Sequence, residues 1–239
     1  NIFNNASFFI PPIEEQQKIA EFLDRKCGEI DEMISLQEKV IEELKAYKQS
    51  IITEAVTKGL NPNVAMRDSG VAWIGEIPEY WELRRAKSMF KQSTSKGNDR
   101  LVLLSATQNR GVVDKSTLDS VVQVSENADL STFKTVHKND FVISLRSFQG
   151  GFEISHEEGV ISPAYTVFRL STQTYPHYYR HLFKSYGFID KINSLTVGIR
   201  EGKNIQYVDF ADMLLPYIPL AEQQKIAEFL DRKCGEIDE

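Results

Sequence analysis

"EQQKIAEFLDRKCGEIDE" stands at Glu15–Glu32 and again, letter for letter, at Glu222–Glu239, 207 positions further on, with unrelated sequence between. A word repeated at a fixed offset marks a structural unit used twice, and the rest of the chain is read around it. The two cysteines, Cys27 and Cys234, fill the same slot of the two copies. One position used twice, with no CxxC spacing, argues against a disulfide framework or zinc site and for reduced, buried thiols.

The first copy opens a longer pattern. Positions Ala20, Leu23, Cys27, Ile30, Ile34, Gln37, Ile41, Leu44, Lys48, Ile51 and Ala55 recur in alternating steps of three and four, the spacing of a coiled-coil seam. Pro11 and Pro12 punctuate its start, Glu14 and Glu15 suit a positive helix N-terminus, and Gly59 with Asn61-Pro62 ends it. Some 45 residues rising ~1.5 Å each make a rod of roughly 65 Å, which needs partners to be stable. A second apolar set, Ile19, Phe22, Met33, Leu36, Val40 and Tyr47, flanks the seam. The rod is therefore expected to touch a domain as well as a partner helix. Gln37 and Lys48 are candidates for fixing register, with plain solvent exposure as the alternative.

Past the rod the periodicity changes. Residues 59–80 are dense in Gly, Pro and Asn and read as an irregular connector pinned by Trp73, Ile74 and Trp81. Short β-rich runs follow at Trp81–Ala86, Leu101–Ser105, Val121–Val124, Phe133–Val136, Phe141–Leu145, Val160–Ile161 and Tyr165–Leu170, then helical spacing over Pro176–Leu195 and a closing strand in Met213–Pro219. The expected fold class is α+β: one α+β domain over 59–219, a long coiled-coil-forming helix over 13–58 before it, and at 220–239 a short second copy of the helix start.

Net charge is −6. It is unevenly spread: residues 1–58 hold 7 basic and 11 acidic side chains, residues 221–239 hold 3 and 6, and the middle holds 18 and 17. The middle therefore has cations enough for a basic face even though the chain is acidic. No long apolar run or basic leader is present, so neither a membrane span nor a signal peptide is expected, and a cytoplasmic location is.

Enzyme motifs are absent from the sequence. "IPPI" at Ile10–Ile13 lacks the polar first residue and final aromatic of an adenine methyltransferase motif. "GIREGKN" at Gly198–Asn204 has its glycines one residue too close for a phosphate loop, and Asn204 replaces the magnesium-holding Ser or Thr. His177 and His181 are spaced four apart, but no Glu follows His177 as in HExxH; packing is the expected role.

Four stretches together, "SGVAWIGEIPEYWELRRAK" at Ser69–Lys87, the repeated word, "KVIEELKAYKQSIITEAVTKGL" at Lys39–Leu60 and "GIREGKNIQYVDFADMLLPYIPLAEQQKIA" at Gly198–Ala227, resemble the specificity subunit of type I restriction-modification enzymes. The resemblance implies a target recognition domain followed by a long helix, the pair occurring twice. It implies a non-catalytic reader of a two-part DNA site that directs adenine-N6 methyltransferase subunits, which use S-adenosylmethionine, and possibly motor-nuclease subunits, which use ATP and Mg. This chain matches one recognition domain at 59–219, one complete helix, the start of a second helix, and at 1–12 the tail of a preceding domain. A half-subunit of this kind is completed by a second chain or by a homodimer whose seams pair antiparallel about a two-fold axis, the expected case. A homodimer implies a palindromic target with a spacer. The alternative is a truncated subunit serving as an assembly scaffold or recombination cassette, without productive DNA reading.

Base edges are read by Arg, Asn and Gln, while Lys and small polar groups grip phosphates. Three clusters fit double-stranded DNA. Thr107, Gln108, Asn109 and Arg110 precede Gly111; Arg146, Ser147, Phe148 and Gln149 precede Gly150 and Gly151, glycines that allow close backbone approach; Arg200, between Gly198 and Gly202, and Lys203 and Asn204 just after them suit phosphates. Lys91 and Lys96 bracket a further basic stretch. The candidate partner seam runs through Ile30, Ile34, Gln37, Ile41, Leu44, Lys48 and Ile51.

Overall fold

The structure is a computed structural model and describes residues 9–97, 101–107, 110–118, 130–143, 151–171, 174–195 and 205–239. The chain divides after Tyr47 into two compact units. The described part of the first unit is helical from Ile13, within helix α1 (Ile13–Lys58). It exposes Ile19, Phe22, Leu23, Ile30, Met33, Ile34, Leu36, Val40, Ile41, Leu44 and Tyr47. Cys27 is exposed with them, against the sequence expectation of a buried thiol, because no described residue of the chain covers this face.

The second unit begins at Lys48 with the last turns of α1. There Ile52, Ala55 and Val56 are buried, and Gly59, at φ +77°, ends the helix with its N–H on the Ala55 carbonyl. Glycine suits this left-handed closing position. The connector is more regular than its composition suggests: strands β1 (Met66–Asp68) and β2 (Glu76–Pro78) form an antiparallel pair. Next come β3 (Glu82–Arg85), the short helix α2 (Ala86–Met89) and β4 (Phe90–Ser93), so the run read as one strand over Trp81–Ala86 ends one residue earlier, at Arg85, and turns.

A hairpin, β5 (Leu104–Thr107) and β6 (Gly111–Asp114), precedes β7 (Lys134–Val136), β8 (Phe141–Ile143), β9 (Glu153–Ile154), β10 (Gly159–Ile161) and β11 (Thr166–Leu170). The strand expected at Val121–Val124 lies outside the described residues. Helical spacing over Pro176–Leu195 resolves into α3 (Pro176–Leu182) and α4 (Tyr186–Leu195). They are separated by a turn in which Phe183 drives into the core and the Ser185 hydroxyl donates to the Leu182 carbonyl. Helix α5 (Tyr207–Ala211), β12 (Leu214–Tyr217) and α6 (Leu220–Asp238) close the chain. Strand β12 pairs antiparallel with β3, which ties the end of the domain to its beginning.

The central sheet has the order β4-β11-β8-β9. Strand residues alternate faces, and the two faces meet different cores. Phe90, Phe141, Ile143 and Phe168 enter the larger one; Val142 and Val167 enter a smaller cluster with Leu104, Val112, Val136 and Ile161. In the larger core Phe90 touches Phe141, Phe168, Tyr179, Phe183 and Phe210, mostly edge to face. Burying each such ring contributes about 1.5–3 kcal/mol, which makes this aromatic knot the chief anchor of the domain.

Candidate nucleic-acid interface

The basic residues of the domain sort by whether a carboxylate answers them. Arg84 pairs with Glu82 and lies over the Tyr217 ring, while Arg85 and Lys87 share Asp212. These charges are answered at the base of the domain. Among the described residues, Lys91, Lys96 and Arg110 are exposed and have no carboxylate within ion-pair distance.

Strand pairing sets further cations opposite the first two. Lys91 of β4 faces Arg169 of β11 across the antiparallel register. Lys96 forms an isolated antiparallel bridge with Lys134 of β7. Arg169 Nη2 donates to Asp140 Oδ2 at 2.8 Å and to Ser93 Oγ at 3.2 Å, so its position is fixed from below. Burial raises Asp140's pKa, and the His137 N–H and the Arg169 charge only partly oppose that. Lys134 donates to the Tyr165 carbonyl, and burial lowers its pKa. Sequence reasoning misses Arg169, Lys134 and Asp140. The alternation of Tyr165–Leu170 is the available signal, since it sets Arg169 on the face of Val167.

Arg110 sits in the β5–β6 turn. Its N–H donates to Thr107 Oγ1 at 3.0 Å, and that hydroxyl donates to the Gly111 carbonyl at 2.8 Å. Gly111, at φ +72°, packs so closely on the Ile154 carbonyl that a Cβ there would stand 2.7 Å from it. Gln108 and Asn109, between them, lie outside the described residues. So do Arg146, Ser147 and Gln149 of the second cluster and Arg200, Lys203 and Asn204 of the third. Gly151 is described, and its role differs from the expected one: at φ +87°, a Cβ would stand 1.9 Å from the Phe183 carbonyl. Its lack of a side chain serves packing against the α3–α4 turn. Two residues on, buried Glu153 pairs with Lys184, and burial lifts its pKa to about 7.

A second arrangement lies where α6 meets the domain, and composition gives no hint of it. Glu222 accepts from Tyr80 Oη at 2.9 Å and from Trp81 Nε1 at 3.2 Å. Gln223, itself buried, takes the Tyr175 N–H at 2.7 Å and donates to the Ile218 carbonyl at 2.8 Å. Ile226, Ala227 and Leu230 are buried, α6 packs on α3, and His181 and Arg180 hold Asp231. Burial lowers the His181 pKa, with the hydrogen bond to Asp231 opposing. His181 thus packs as its sequence neighbours suggest. Lys48 meets Asp238 at 2.5 Å, and Ile51 packs against the core. Both belong to the partner seam expected from sequence; in this chain they already have neighbours, whereas Ile30, Ile34, Gln37, Ile41 and Leu44 are exposed.

Among the described residues no group of three or more His, Cys, Asp or Glu is placed to hold a metal ion, and no helix is long and apolar enough to cross a membrane. No protein-family model matches the chain. A specificity subunit of the type I restriction enzyme MjaVIII of Methanocaldococcus jannaschii is 35% identical over 88 residues, 37% of this chain and 19% of that protein. The putative type I MjaX specificity subunit of the same organism is 26% identical over 230 residues, 92% of this chain and 51% of that protein. Among solved structures, a chain from a study of assembly and conformational transition of the type I system matches with TM-score 0.64 and 15% identity, over 96% of this chain and 54% of its own. The S subunit of Thermoanaerobacter tengcongensis matches with TM-score 0.50 and 14% identity, over 96% and 53%. In sequence the chain is similar to type I restriction-modification specificity subunits, in fold it is similar to the two solved chains, and it spans about half the length of MjaX and of both solved chains.

Proposed function

We propose that the chain reads DNA sequence for a type I restriction-modification system, without a catalytic site of its own. The observation that carries this reading is the setting of cation against cation, Lys91 opposite Arg169 and Lys96 opposite Lys134. Like charges directly opposite destabilise a sheet; Asp140 answers Arg169, which leaves the Lys91, Lys96 and Lys134 charges for a phosphate backbone to relieve. Domain 59–219 is the reader, and the clusters around Gln108, Arg146 and Arg200 supply base and phosphate contacts. The exposed seam from Ile30 to Leu44 joins two copies antiparallel, which gives a bipartite, palindromic site. Methyltransferase subunits bring S-adenosylmethionine, motor-nuclease subunits bring ATP and Mg, and the assembly works in the cytoplasm.

The test is DNA binding and methylation with the methyltransferase partner across a salt series. Each of Lys91→Ala and Lys96→Ala is expected to weaken binding on all sequences and flatten the salt slope by about 0.9 per phosphate released from the protein. Arg146→Ala is expected to relax preference at one base position at a cost of about 1–3 kcal/mol. Lysine variants that leave both affinity and slope unchanged would remove the sheet edge from the interface and overturn the reading built on it.

A further inference from the structure

The N-terminal copy of the repeated word is folded as the docked copy is. Glu15 and Gln16 N–H donate to the Pro12 carbonyl at 2.9 and 3.0 Å, as Glu222 and Gln223 do to Pro219 at 2.9 and 3.0 Å. Gln16 Nε2 reaches the Pro11 carbonyl at 2.7 Å, as Gln223 Nε2 reaches Ile218 at 2.8 Å. The groups that α6 puts into its groove therefore recur at the same spacing in the first copy, among them Glu15, Gln16, Ile19, Leu23, Asp24 and Asp31. Among the described residues nothing covers this face.

The groove also fixes a register. Lys48 meets Asp238, whose counterpart is Asp31, and Ile51 lines one cleft with Phe229, whose counterpart is Phe22. Suppose a second copy lays its first word where α6 lies. Its residue 31 then meets Lys48 and its residue 22 enters the cleft that Ile51 lines, so the two helices run antiparallel about a midpoint near residue 40. Such a register is self-complementary: the second chain's Lys48 meets the first chain's Asp31. The contact closes with two-fold symmetry rather than growing into a filament.

We infer that, in a pair of these chains, the first word of each copy takes the place of α6 in the other's groove and releases α6 to solvent. The inference rests on the pairing of two copies proposed above and assigns what the pairing displaces. The two words are identical over all 18 residues, so the incoming word can remake every hydrogen bond and apolar contact that α6 gives up. What remains in favour of exchange is the burial of Ile30, Ile34, Ile41 and Leu44 along the continuing seam. What opposes it is the direct tether of α6 to β12 through Ile218 and Pro219, which raises the effective concentration of the native word.

The experiment uses the full chain with Phe22→p-benzoylphenylalanine, mixed as ordinary and nitrogen-15-labelled copies and irradiated. Exchange is expected to give adducts between light and heavy chains that map to residues 51–66, because Phe229 shares its cleft with Ile51 and Met66. Adding Ile19→Asp and Leu23→Asp, both exposed in the free chain, is expected to cut the adduct by about tenfold or more. Adducts confined to residues 13–47 of the other copy, with light scattering still reading a dimer, overturn the exchange but leave the pairing standing. A single-chain mass with no adduct overturns both.

Discussion

Leu230 and Leu23 hold the same position in the same eighteen-residue word, yet Leu230 is fully buried and Leu23 is 51% exposed. Helix formation is common to both copies, since each begins just after a proline and closes its first turn on that proline's carbonyl. The difference is what lies alongside. Around α6 the domain supplies Tyr80, Trp81, the Tyr175 N–H and His181; no described residue of this chain covers the first copy. Local sequence thus decides that the word is helical and which stripe is apolar, and only tertiary context decides whether that stripe counts toward stability.

The largest expected effect that tests this contrast is truncation at the shared leucine. Leu230→Ala should lower unfolding free energy by about 2–5 kcal/mol, as for a buried leucine leaving a cavity. Leu23→Ala should change it by less than about 0.5 kcal/mol in the dilute single chain. Urea unfolding at concentrations where light scattering reads one chain checks the pair. Equal losses would mean that the first copy is covered too, and the contrast would fail.

How much of this is legible beforehand follows the same division. The long helix, its ends and the closing strand are readable, because three-four spacing, proline and glycine act locally. The β1–β2 pair inside a Gly- and Pro-rich connector is not, nor is the break between α3 and α4, where the Phe183 ring belongs to an aromatic core assembled from several other elements. Lys91 and Lys96 can be named as cations from sequence. That Arg169 and Lys134 stand opposite them depends on strand register, which no local pattern states. Gly151 is readable as a required glycine, but its reason, the Phe183 carbonyl, comes from a segment distant in the chain.

A smaller effect is expected at the shared glutamine. Gln223→Ala strands the Tyr175 N–H and deletes a buried side chain, at a cost of about 1–3 kcal/mol. Gln16→Ala removes only its bond to the Pro11 carbonyl in half-buried surroundings, and a change below about 1 kcal/mol is expected there. Should Gln223→Leu, which keeps bulk but no polar atom, restore full stability, the amide would be shown to matter for shape alone and the hydrogen-bond account of the dock would be wrong.

The smallest effect separates the shared aspartates and is read in pH. Burial alone would raise Asp231, but the His181 hydrogen bond and the Arg180 charge outweigh it, leaving the carboxyl below its ordinary value. A depressed carboxylate contributes stability above its unfolded pKa, about 3.9, that is lost as pH falls through the folded value. His181 is depressed by burial, so acid favours the unfolded state from about pH 6.5 downward, and Asp231 moderates that loss by favouring the imidazolium. The advantage of wild type over Asp231→Asn should therefore widen as pH falls from about 7 toward about 5, then narrow below about 4 as Asp231 itself is protonated. Because Asp231 is about half exposed, the total should stay under about 1 kcal/mol. Asp24→Asn, the same change in the open copy, should give no such rise and fall. Glu153, which titrates near 7, is present in all three proteins and cancels from the difference. Matching pH profiles for the two variants would show that the His181 contact contributes nothing, and would reduce the contrast between the two copies to apolar burial alone.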